Sequence, residues 1–183
     1  MIYFSQLRFD KFSGEKNGSS KRYDGRQSGQ IAFWIYRTTE GGAMKKSDLL
    51  MRLQKGLSQS EWEALAQRNP LTPVSQFNQE VLLELRSTFI VEGEVSTTQV
   101  ADLCEALQTY LTEYMKEQPE GWKYIILASL YLAFLAGRPM HPIDLLKIDI
   151  IETESGPIYK CPQKSGVKGT VCDYCVCERV SDT

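Results

Sequence analysis

The run Trp122-Lys123-Tyr124-Ile125-Ile126-Leu127-Ala128-Ser129-Leu130-Tyr131-Leu132-Ala133-Phe134-Leu135-Ala136 decides how this chain must fold. At helical spacing it leaves no polar stripe. Such a helix must be surrounded by other helices, since apolar surface left in water costs about 25 cal/mol per Å². A central helix is therefore predicted over residues 120–136. Gly137 follows as its cap, and Pro139 forbids further turns. The apolar run falls short of the ~20 residues a bilayer crossing needs.

The surrounding helices are legible upstream. Leu49, Leu50, Leu53 and Leu57 share one face of a first helix that opens at Lys45, immediately after Met44, with Gly56 expected to end it in a left-handed cap. Ser58-Gln59-Ser60-Glu61 is a capping box opening a second helix that carries Trp62, Leu65 and Ala66. Asn69-Pro70 and Pro73 break it. Phe77, Val81, Leu85 and Phe89 repeat every four residues as a third helix that ends before Gly93. Ser96-Thr97-Thr98-Gln99 starts a fourth, bearing Val100, Leu103, Leu107 and Leu111. Cys104 adjoins that stripe and reads as a small buried hydrophobe.

Residues 1–43 have a different composition. From Lys11 to Gly29 the chain is rich in Gly, Ser, Lys and Arg and has little apolar surface to bury. Ile31 to Tyr36 is a short apolar island. This region is expected to be a flexible extension, or to precede the true start at Met44. The helical bundle is expected over 44–140, and a tail packed on it over 141–183.

The 183 residues carry a formal net charge of -2, which argues against nucleic acid or a membrane surface as partner. No charged lead precedes an apolar core in the first residues, so no secretory leader is expected and the compartment is expected to be cytoplasmic and reducing. Clustered cysteines in such a compartment point to metal or redox chemistry rather than to disulfides.

The single histidine and four of the five cysteines fall in the tail. His141-Pro142 leaves the central helix. Lys147 to Ile150 and Pro157 to Lys160, around the turn-like Thr153-Glu154-Ser155-Gly156, predict a small β-hairpin that delivers Cys161-Pro162. Cys172-x-x-Cys175 has knuckle spacing, and Cys177 follows. A tetrahedral zinc takes four such donors. Cys161, Cys172 and Cys175 supply three, and His141 or Cys177 the fourth. Cys175 and Cys177 are expected to point to opposite sides of an extended chain, so His141 is preferred and Cys177 is a spectator or substitute. Zinc is the expected cofactor; an iron–sulfur cluster on the four cysteines is the alternative. A Cys–His enzyme, with His141 activating Cys161, ranks third. The residues contain no phosphate loop, no H-E-x-x-H and no paired-carboxylate motif. Asp144 and Asp149 read as solvated. Lys160, Lys164 and Lys168 read as offsetting thiolate charge.

Three stretches carry a resemblance: Tyr131 to Pro142, Tyr159-Lys160-Cys161-Pro162, and Cys172-Asp173-Tyr174-Cys175. With them the chain resembles an uncharacterised protein family of methanogenic archaea, the domain of unknown function numbered twenty-one fifteen, over about Met44 to Cys177. That family's pattern pairs one histidine with three cysteines, matched here by His141, Cys161, Cys172 and Cys175. The chain departs from it in lacking a Phe-Pro-Gly-Gly-like stretch after His-Pro and in adding Cys177. The resemblance implies a methanogen cytoplasm and no particular activity. The fold expected is mainly α, a helical bundle with a small C-terminal β-hairpin and a Cys/His metal knuckle. The function expected is a metal-binding module that shapes a surface for a protein partner.

Overall fold

The computed structural model describes residues 42–115 and 121–180; most of the predicted N-terminal extension lies outside them. The described chain is rich in helix, with two small sheets. The order is β1 (Ala43–Lys45), α1 (Lys46–Gln54), α2 (Gln59–Gln67), α3 (Pro73–Ser87), β2 (Glu94–Ser96), α4 (Thr97–Tyr114) and α5 (Trp122–Tyr131). A π-helical turn (Leu132–Ala136) continues α5. Then come α6 (Ile143–Leu146), β3 (Asp149–Thr153), β4 (Gly156–Cys161), a 3-10 turn (Val171–Tyr174) and β5 (Glu178–Arg179).

The apolar helix α5 packs against α1, α3 and α4, as a helix without a polar face must. Its own Ile126, Leu127 and Leu130, with Leu132 just beyond, are fully buried together with Leu49, Leu53, Leu82, Leu85, Leu103, Leu111 and Cys104. Burial of each such leucine or isoleucine contributes about 1.5–3 kcal/mol before its entropy cost. Among the described residues, no helix is long and apolar enough to cross a membrane.

Local signals set the ends of the helices. The Ser58–Glu61 capping box is formed in both directions. Thr72 and Ser75 form a second box, and Pro73 stands at the first helical position of α3, where its missing N–H costs nothing. So Pro73 starts a helix as well as breaking one. Ser96 Oγ accepts from the Gln99 N–H at the head of α4.

Three expectations need correction. Gly56 does not take a left-handed conformation; it is needed because a Cβ there would stand 2.7 Å from Leu127 Cδ2. Phe89 is not on α3. Gln54 Nε2 donates to the carbonyls of Leu85 (3.0 Å) and Thr88 (2.8 Å), the helix stops at Ser87, and Phe89 is 89% exposed. Met44 stands just before the first helix. It is buried in β1, which pairs antiparallel with β2, with Met44 opposite Val95. The C-terminal sheet is more than a lone hairpin: its order is β3-β4-β5, with β4 antiparallel to β3 and parallel to β5.

At its C-terminal end the central helix is tied to α3. Tyr131 donates its hydroxyl to Glu84 Oε1 at 2.8 Å and lies 3.0 Å from Thr88 Oγ1. Arg138 pairs with the other Glu84 oxygen. Gly137, at φ 60°, turns the chain out of the helix. These contacts fix where residues 138–141 leave the bundle.

Candidate metal centre

The tail is held against the bundle by backbone as much as by side chains. Met140 is buried, and its N–H donates to the sulfur of Cys175. His141 follows, half-buried, with burial lowering its pKa to about 4, so the ring is neutral at pH 7. Pro142 caps the single turn of α6, and Lys147 leaves that turn at φ 52°. Asp144 and Asp149 are exposed, as solvated residues are.

From Ile148, which is buried, the chain enters β3. The strands β3 and β4 run in register from Asp149 opposite Lys160 to Thr153 opposite Gly156. Gly156 takes φ 114° beyond the Glu154-Ser155 turn. Strand β4 ends on Cys161, which is buried against Ile148 and Cys177, with Cys175 packed on the same small core.

After Cys161 the chain bends so that the N–H groups of Gln163 and Lys164 both donate to its sulfur. Burial nevertheless raises the Cys161 thiol pKa, and the nearby Cys175 and Cys172 add to that. The amides favour the thiolate and the apolar surroundings oppose it. A compensating cation at the sulfur would reverse the balance.

The connecting loop is folded back by Lys164. Its ammonium donates to the carbonyls of Cys175 (2.9 Å) and Cys177 (2.6 Å). Asp173 Oδ2 accepts from the Gly169 N–H, and Thr170 Oγ1 donates to the Val167 carbonyl. Cys172 and Cys175 bracket the 3-10 turn, where the Cys175 N–H donates to the Cys172 carbonyl at 3.2 Å. That turn packs on α4, with Val171, Tyr174 and Cys175 touching the main core.

Cys175 and Cys177 do not diverge as expected. The Cys177 thiol donates to the Cys175 sulfur, and the Cys177 N–H donates to it as well. Residues two apart in an extended chain share a face; only adjacent residues oppose one another. The shared proton holds the Cys175 pKa below that of an ordinary thiol and pushes that of Cys177 well above it, with burial adding to the rise.

The tail thus gathers Cys161, Cys175 and Cys177 on one core, places Cys172 one turn away, and brings the His141 segment in through the Met140 amide. Among the described residues, no group of three or more His, Cys, Asp or Glu side chains is placed to hold a metal ion. The donor chemistry still fits a soft divalent ion: thiols among apolar side chains, with amide N–H groups directed at two of the sulfurs. Sequence reasoning missed the clamp role of Lys164, although the lysine-rich loop pointed to it, and it missed the Met140 amide, which leaves no trace in the sequence.

The model of the family described as "Uncharacterized protein conserved in archaea (DUF2115)" matches residues 48–180. No curated protein and no solved structure matches the chain.

Proposed function

The chain belongs to this family conserved in archaea, and we propose that it is a metal-binding module whose tail is stapled to the helical bundle by a structural zinc ion. The observation that carries this reading is the sulfur-directed backbone: Gln163 and Lys164 donate N–H groups to Cys161, and Met140 and Cys177 donate to Cys175. Amides aimed at sulfur stabilise thiolate, which is the form that ligates metal. Cys161, Cys172 and Cys175 supply three ligands, and His141 or Cys177 the fourth.

A closed site of four protein donors leaves no open position for a substrate, so its role is to hold structure. The small sheet is the part that needs holding, since two or three short strands are marginal by themselves. The metal would fix that sheet on the bundle as a surface for a protein partner.

Four cysteines also suit an iron–sulfur cluster, and that is the second reading. Metal analysis and an absorption spectrum of anaerobically purified protein separate the two. One zinc per chain in a colourless protein supports the structural-zinc reading. A brown protein with iron and sulfide supports the cluster. A protein with neither metal nor colour removes both.

A further inference from the structure

We propose that the ion is bound by Cys161, Cys172, Cys175 and Cys177 together, an all-thiolate set that leaves His141 outside it. This rests on the metal reading above and names the ligands of that same site.

Cys161 is the parallel partner of Arg179, and paired residues direct their side chains to one face. Cys177 lies two residues before Arg179 and so returns to that face. Accordingly Cys161 and Cys177 are both buried against Ile148. Cys177 is linked in turn to Cys175 by a thiol-to-sulfur hydrogen bond. The 3-10 turn then joins Cys175 to Cys172 through their backbone hydrogen bond. The four cysteines therefore share one neighbourhood, with Cys172 and Cys175 both close enough to Cys161 to act on its thiol, and an ion would have to draw their sulfurs to a common point.

The His141 segment already has another task. The amide one residue before His141 donates to Cys175, which is an outer-shell contact supporting a ligand sulfur. Charge agrees with this division. Zinc with four thiolates keeps a net charge of about -2. Lys164, lying across the carbonyls of Cys175 and Cys177, supplies a nearby positive charge. An all-sulfur set selects thiophilic divalent ions such as zinc, cobalt(II) and cadmium.

The test is cobalt(II) titration of the full chain, wild type and variants, followed by the sulfur-to-cobalt charge-transfer band and the visible ligand-field bands. Wild type should bind one cobalt in a tetrahedral site. Absence of such binding would defeat the metal reading itself, whatever the ligands. Cys177→Ser should lose one thiolate's share of the charge-transfer intensity, shift the ligand-field bands and bind about tenfold or more weakly. His141→Ala and His141→Gln should leave the spectrum unchanged. Circular dichroism of each variant confirms that the helices are intact, and the two histidine variants guard against a local packing defect. A spectral change common to both histidine variants, or an unchanged spectrum in Cys177→Ser, would overturn the all-thiolate set while leaving the metal reading standing.

Discussion

The N–H of Met140 donates to the sulfur of Cys175. Those two residues join the exit of the central helix to the cysteine tail, so the position of the tail depends on how the helix ends. Gly137 at φ 60° and the Arg138–Glu84 pair set that exit.

Gly137→Ala is expected to destabilise the protein by about 1–2 kcal/mol, because a Cβ is strained in the left-handed region even though nothing lies within 4 Å of it. Gly56→Ala should cost about 1–3 kcal/mol for the opposite reason, a clash with Leu127 at an ordinary φ. Urea unfolding measures both. Unchanged stability in Gly56→Ala would refute the close approach of Leu127.

Tyr131→Phe should cost about 1 kcal/mol through the lost contacts to Glu84 and Thr88. It should also change the alkaline limb. Burial raises the Tyr131 pKa above the ordinary tyrosine value of about 10. The folded chain then keeps a proton that the unfolded chain releases, and stability falls as pH rises past 10. Unfolding free energies at about pH 9 and 11 should therefore differ less in Tyr131→Phe than in wild type. An equal difference in both proteins would contradict the buried, protonated hydroxyl.

Much of this fold could be read from residues 44–137, and the reasons are local. The Ser58–Glu61 box, the stripe of α4 and the apolar run of α5 each carry their signal within a few residues. What escaped reading is non-local. Gln54 ends α3 from another helix, β1 finds β2 across 50 residues of chain, and Gly56 is required by Leu127. The site shows the same division. Cys172-x-x-Cys175 is visible as spacing, whereas the meeting of Cys161 with Cys177 depends on a parallel strand pairing that no local pattern specifies.

Lys164→Met keeps the aliphatic stem and removes the clamp on Cys175 and Cys177. Metal affinity should fall about 10–100-fold, as it does when outer-shell partners are lost, with the helical signal unchanged. Competition against a colorimetric chelator gives the number. Wild-type affinity in Lys164→Met would assign the lysine to solvent-side charge balance only.

Treatment with a strong chelator should open residues 148–158 to protease while the circular dichroism of the bundle persists, because the small sheet has little core of its own. Cleavage mapped by mass spectrometry before and after chelation reads this directly. If chelation left cleavage in this segment unchanged, the metal would have no stapling role.

Whether one ion is shared by the tail cysteines is read by thiol alkylation of the anaerobic chain, with and without one equivalent of zinc, mapped residue by residue. Cys104, fully buried in the bundle, should resist in both states and serve as the internal reference. Zinc should protect Cys161, Cys172, Cys175 and Cys177 together, with one saturation point at one zinc per chain. Tail cysteines that alkylate at the same rates with and without zinc would contradict it.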